Sequence, residues 1–257
     1  MDNLNLDLFF NGKISCYQPK KGYKSGLDAV MLSSLVKAKK GDKILDIGSG
    51  VGIASLCLAC RLALENIEDI QVFGLEKQEI FHQIALKNQQ VNQLNIKTSK
   101  FFPILGNIID YPDFNFKFDT IISNPPYYKN QAKNSNTQNT LSPKQMAKIE
   151  SDADLAKFIK FAFNNLQNHK YLYLINRSER LQETLNLLNN KHWGNIEIFP
   201  LYTYAKKSAK LFMVKAKKLG ALVSLLHYGI ILHNEDSSYS PEAREILENA
   251  KPFPKFL

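Results

Sequence analysis

What constrains this chain most is a rhythm. Apolar runs at 43–47, 70–75, 101–105 and 118–123 are each short enough for a strand, and the segments 53–64 and 79–92 between them carry helical patterning. Strand and helix alternating at this spacing force parallel pairing, because each return to the sheet needs a crossover. The chain is therefore expected to form an α/β, doubly wound sheet. Further strands are predicted at 171–175, 196–201 and 209–214, with helices at 155–166 and 178–188. The last two strands are joined by a turn too short for a crossover helix, so they form an antiparallel hairpin at the sheet edge. That makes seven strands, mostly parallel. Before them, Ser25-Gly26-Leu27-Asp28 has the Ser-x-x-acid form of a helix start. An apolar segment at 221–232 and a terminal helix capped by Ser240-Pro241 complete the chain. One domain is expected over 1–257: a flanking segment at 1–40, a core at 41–218 and a C-terminal extension at 219–257.

Composition narrows the class. With 44% hydrophobic and 22% charged residues, disorder, collagen and a disulfide mini-protein are excluded. No run approaches the roughly 18 uncharged apolar residues of a membrane span. Asp2 and Asp7 stand where a secretory signal would carry Lys or Arg. A soluble, cytoplasmic protein with no membrane partner is expected. Against 24 acids the chain carries 33 basic residues, a net charge of +9, which favours polyanionic partners. Only Arg61, Arg177, Arg180 and Arg244 are arginine; a lysine excess beside abundant asparagine also arises from A-rich coding. Cys57-Leu58-Ala59-Cys60 has redox spacing, but it lies inside an apolar helical run with no second Cys or His pair nearby, so these read as two small buried side chains. The five histidines show no metal-ligand spacing, and no metal is expected.

Two short motifs carry chemistry. Asp46-Ile47-Gly48-Ser49-Gly50-Val51-Gly52 sits where the first strand of the sheet turns into a helix. Glycines there admit positive φ and close approach of a ligand to the main chain. The dinucleotide pattern G-x-G-x-x-G would place its third glycine at Ile53; the glycine at 52 fits the spacing of S-adenosyl-L-methionine (SAM) sites better. Glu76 ends the second strand, where a carboxylate can accept both ribose hydroxyls of an adenosine. Asn107, after the third, is placed either to pair with the adenine ring through its amide or to cap its own loop.

The second motif, Asn124-Pro125-Pro126-Tyr127, follows the fourth strand on the same edge. An amino group conjugated to a base or an amide is a poor nucleophile, because its lone pair is delocalised. The side-chain oxygen of Asn124 and the main-chain carbonyl of Pro125 can bind its two hydrogens, orient the nitrogen and stabilise the charge that grows on it. The prolines stiffen the turn, and Tyr127 offers a face on which a base can stack. No carboxylate base or metal is needed, since the nitrogen can lose its proton to solvent after transfer. Arg177 and Arg180, after the fifth strand, are candidate phosphate contacts. The lysines at 206, 207, 210, 215, 217 and 218 either grip phosphates or protect a solvated strand edge. Lys129 opens a stretch at 128–149 with four lysines that reads as an RNA-binding loop.

The two motifs in this order resemble the class I SAM-dependent amino-methyltransferases. With residues 18–32 (QPKKGYKSGLDAVML) and the late Tyr239-Ser240-Pro241-Glu242, the chain is similar to the bacterial tRNA (adenine-N(6))-methyltransferase family. The resemblance implies a Rossmann-like sheet. It also implies SAM held by Asp46, Gly48, Gly50, Gly52 and Glu76, with Asn107 at the adenine. Asn124, Pro125 and Tyr127 would hold the target base, and Tyr23, Lys24 and Asp28 would line the approach. Lys24 stands where the family usually has arginine, Asn107 where it has aspartate, and Ile149-Glu150 where many relatives show His-Glu. The partner implied is tRNA or another structured RNA, methylated beside the anticodon. Two alternatives stay open. One is a protein glutamine amide as substrate, as in the release-factor methyltransferases, which share Asn-Pro-Pro-Tyr but carry an N-terminal helical domain where this chain has about 40 residues before the first strand. The other is a non-catalytic RNA-binding scaffold.

Overall fold

The computed structural model describes residues 4–20, 26–96, 98–109, 114–125, 154–189 and 192–254. An N-terminal hairpin, β1 (Leu4–Phe9) and β2 (Ile14–Pro19), is followed by α1 (Leu27–Leu35). Then come β3 (Lys43–Ile47), α2 (Ile53–Leu64), β4 (Ile70–Glu76), α3 (Glu79–Asn92), β5 (Ser99–Leu105) and β6 (Phe118–Ser123). The second half holds α4 (Asp154–Asn165), β7 (Leu166–Arg177), α5 (Leu181–Leu188), β8 (Trp193–Tyr204), β9 (Leu211–Lys218), β10 (Ser224–Leu226), β11 (Ile230–His233) and α6 (Pro241–Leu247).

The main sheet runs β10-β8-β9-β7-β6-β3-β4-β5, with β11 also on β8. Strands β3 to β7 are parallel, and β9 lies antiparallel between β7 and β8. The seven expected strands form the frame. Two short strands from the apolar segment at 221–232 extend it beyond the hairpin, so β8 is not bare on its outer side. The β1–β2 hairpin is a further addition that sequence patterning did not suggest.

Successive side chains of a strand point to opposite faces, and both faces here are covered. Ile44, Val72, Ile122, Tyr173 and Met213 join one core with α1 and α2, while Leu45, Leu75, Ile121, Leu174 and Val214 join a second with α4. Strands buried on both sides must be apolar throughout, which is why they read as short continuous runs. Cys57 and Cys60 sit buried in α2, where burial pushes the Cys60 thiol up to about 11 and Cys57 well above the ordinary range. These thiols are packing groups. Trp193 is buried against Phe163, and Ser240 caps α6 by accepting a bond from the Ala243 N–H at 3.1 Å. Helix α1 begins at Leu27 with Gly26 at the cap position; Ser25 lies outside the described residues.

A buried cation ties together the two helices α1 and α2 on one face of the sheet. Arg61 in α2 is 1% exposed and donates to the carbonyls of Ser33 and Val36 at the end of α1, and to Glu65 one turn on. The last carbonyls of a helix lack intrahelical partners and attract positive charge. Arg61→Ala removes the donors and strands these acceptors, so it is expected to cost about 3 kcal/mol. Urea unfolding followed by circular dichroism checks this; a loss near that of an exposed substitution would refute it.

Candidate functional site

The order β5-β4-β3-β6-β7 means that the chain winds outward from β3 in one direction and, from β6, in the other. Open sheets bind ligands beyond the carboxyl ends of their strands, at this point of reversal. Here the reversal lies between β3 and β6, whose following loops begin at Gly48 and Asn124. The Ser123 hydroxyl donates to the Ile47 carbonyl at 2.8 Å, tying the two strand ends together.

The glycine loop has positive φ at Gly48, Gly50 and Gly52, at 72°, 55° and 88°. At Gly52 a Cβ would stand 2.7 Å from the Phe101 ring, so a side chain is excluded by contact as well as by conformation. Above Gly50 the space is open: an added Cβ would meet nothing within 4 Å. The loop therefore turns bare backbone toward a cavity.

Glu76 fixes that loop. Its two carboxylate oxygens accept from the N–H of Gly50 at 2.9 Å and of Gln78 at 2.8 Å. Burial raises its pKa, against the opposing pull of these two bonds. Asp46, at the end of β3, is 1% exposed and accepts from the Ser55 hydroxyl at 2.7 Å. Burial pushes its pKa up to about 7, with the Glu76 charge adding to the rise.

Asp46, Gly48, Gly50, Gln18 and Asn124 line one cavity. The glycine loop and the asparagine thus open into a single crevice, as a shared reaction requires. Asp28 lines a neighbouring cavity of 750 Å³ with Gln18 and Tyr239, rather than the crevice itself. Asn107 follows β5 beside Glu76, and its side-chain oxygen caps its own turn by accepting from the Ile109 N–H at 3.1 Å. Arg177 ends β7 on the same sheet edge, whereas Arg180 is buried and paired with Glu183 at 2.8 Å. Arg180 is thereby corrected from a phosphate contact to a structural ion pair. Pro125 is buried beside Asn124. Tyr23, Lys24, Pro126, Tyr127, Lys129 and the loop at 128–149 lie outside the described residues.

Sequence reading missed Asn88 and Asn92. One turn apart on α3, their amides pair with the edge of β2 as a strand would. Asn92 bonds the N–H and carbonyl of Ser15 at 3.0 and 2.8 Å, and Asn88 those of Tyr17 at 2.7 and 3.1 Å. Asn88 also donates to the Val51 carbonyl at 2.9 Å, so one side chain holds both the glycine loop and the strand that brings Gln18 to the crevice. The available signal was two asparagines at i and i+4 on a helix, a spacing that puts them on one face.

Residues 27–177 match the family described as N-6 DNA Methylase. The chain belongs to that family. The release factor glutamine methyltransferase of Flavobacterium psychrophilum is 32% identical over 62% of this chain and 54% of its own length. The tRNA1(Val) (adenine(37)-N6)-methyltransferase of Flavobacterium johnsoniae is 32% identical over 51% of this chain and 53% of its own. The matched stretch spans about half the length of these curated relatives. The crystal structure of a predicted O-methyltransferase from Agrobacterium tumefaciens superposes with a TM-score of 0.69 at 18% identity, over 90% of this chain and 100% of that one. The fold is that of the class I SAM-dependent methyltransferases.

Asp46 makes the site's own stability test. An unfolded aspartate ionises near 3.8, whereas Asp46 keeps its proton to about 7. The folded chain binds the extra proton between those values, so stability falls as pH rises through that window. Asp46→Asn keeps an acceptor for Ser55 and removes the penalty. At pH above about 7 the variant is expected to melt at a higher temperature than the parent protein, with the gap closing in mild acid. A gap that ignores pH would refute the assignment.

Proposed function

We propose that this protein transfers a methyl group from SAM to the exocyclic amino nitrogen of adenine in RNA, with tRNA as the favoured substrate and the position beside the anticodon as the favoured target. The observation that carries the reading is the crevice shared by Gly48, Gly50, Asp46 and Asn124. The basic balance and the tRNA-directed relative favour RNA.

The residues present fit the cofactor. Gly50 leaves open space over bare backbone, and Glu76 and Asp46 supply carboxylates at the ends of β4 and β3. SAM supplies an electrophilic methyl on a sulfonium centre. The chain's own work is to place the nucleophile. Glu76, held by two backbone donors, would accept ribose hydroxyls through its remaining lone pairs; Asp46 would ionise beside a cationic group of the cofactor. The Asn124 side-chain oxygen and the Pro125 carbonyl accept the two amino hydrogens of the target, which aligns the nitrogen lone pair and stabilises the positive charge developing there. Tyr127 would stack on the extruded base, the adenine having left its helix to reach the crevice. The proton leaves to solvent after transfer. Asn107, Asp28, Tyr23, Lys24, Lys129 and Arg177 complete the proposed cofactor and substrate contacts.

The release-factor relative supports a second reading, methylation of a protein glutamine amide, because the same two acceptors suit an amide NH₂. Labelled SAM with total tRNA from cells lacking the gene is expected to yield labelled N6-methyladenosine. Label in release factor and none in tRNA would replace the first reading by the second. Asn124→Ala is expected to lower kcat about 10²–10³-fold while RNA affinity stays close to that of the parent. Indistinguishable kcat values would mean that Asn124 does not touch the reacting group. Glu76→Gln is expected to weaken SAM about tenfold or more, measured by calorimetry.

A further inference from the structure

Six lysines flank the β8–β9 hairpin, and the structure divides them. Lys215 pairs with Glu197, and the Lys218 ammonium donates to the carbonyls of Phe163 and Leu166 at 2.7 Å each. Lys217 stands 5.9 Å from the Tyr171 ring centroid. Lys215 and Lys218 are thus bound within the fold, and Lys217 lies beside an aromatic ring on β7. Lys206, Lys207 and Lys210 lie in the turn, exposed, and none has an ion-pair partner among the described residues.

Edge protection does not explain them. Lysines guard a sheet when they sit along an open strand, but β9 is interior and β8 is covered by β10 and β11. The turn instead projects from the carboxyl edge of the sheet. Because β8 runs parallel to β7, its end at Tyr204 lies on the same side as Ile47, Glu76 and Ser123. The Lys210 backbone is pinned there, its carbonyl accepting from the Ser178 N–H at 3.0 Å and its N–H donating to Leu201 at 3.2 Å. That bond sets the turn beside Arg177, also exposed. Ser123 pairs with Leu174, so Arg177 stands three residues further out than Ser123, roughly 10 Å. Strand β9 is two places from β6, about 10 Å across. Four cations therefore stand beside the crevice, on the same sheet edge, at a distance of a few nucleotides.

A series of ring contacts leads from the turn toward the crevice. Tyr204, at the base of the turn, lies 5.6 Å from His233, which stacks on Tyr239 at 5.1 Å. Tyr239 lines the cavity that Gln18 shares with the crevice. Among the described residues, Glu179 lies two positions from Arg177, and Glu235 and Asp236 precede Ser237, whose hydroxyl lies 3.2 Å from that of Tyr204; Asp236 is turned onto the N–H and hydroxyl of Ser238 at 2.9 and 2.6 Å. Like charges held together by the backbone repel one another, and a polyanion relieves that cost.

We infer that the hairpin turn, through Lys206, Lys207 and Lys210 with Arg177, is a phosphate-binding site for the nucleic-acid backbone flanking the target base. The inference rests on the RNA reading above. Its test is the full chain carrying Lys206→Ala, Lys207→Ala and Lys210→Ala together, titrated with total tRNA at several salt concentrations. RNA affinity is expected to fall about tenfold or more at physiological salt, and the slope of log affinity on log salt to shrink by about 2–3. SAM affinity and melting temperature should match the parent, and the triple Lys→Arg variant should restore the parent slope. If the parent binds and methylates tRNA and the alanine variant shows the same affinity and slope, the turn is not the site and the RNA reading stands. Lost affinity with an unchanged slope also overturns the site. If the parent binds no RNA and labels release factor instead, both fall.

Discussion

The structure depends on a reversal in strand order. Strand β3 lies between β4 and β6, and the connections beyond them leave in opposite directions. Adjacent parallel strands with helices on both faces leave no room at their carboxyl ends except where the strand order reverses direction, and there the two departing loops part and open a crevice. Gly48 and Gly50 on one side and Asn124 on the other are what this geometry places on one cavity.

The crevice is held by polar groups under cover. Glu76 spends one oxygen on the glycine loop, Ser123 ties β6 to β3, and Asn88 links the loop to β2. Each is a side chain bonded to backbone across a long sequence separation, which fixes loop geometry without a ligand. The raised pKa of Asp46 belongs to the same design: a carboxylate out of water, at a site read here as taking a cation, is a strain that the bound state relieves. The cations of the β8–β9 turn are arranged the other way, outside the crevice and exposed to solvent.

Much of this was legible in the residues. The limits of α2 and α3 follow from apolar periodicity bounded by Gly52 and Gln78, and the antiparallel hairpin from a turn too short to cross over. Strands β10 and β11 were not legible, because a three- or four-residue strand on an exposed edge has too few side chains to show a period. The Asn88–Asn92 ladder was hidden in a polar stretch of helix, and Arg180 looked like a free cation until Glu183 was seen beside it.

By itself the sequence determined the alternation of strands and helices, the loop that only glycine can form and the turn that proline stiffens, since each is a matter of local sterics and hydrogen bonding. Tertiary structure alone decided that these meet in one crevice, that Asp28 faces the adjoining cavity and that the lysines divide between partners inside the fold and an exposed turn on the same sheet edge. Those outcomes depend on strand order and register, which arise from contacts between residues far apart in the chain and leave no trace in any short window of it.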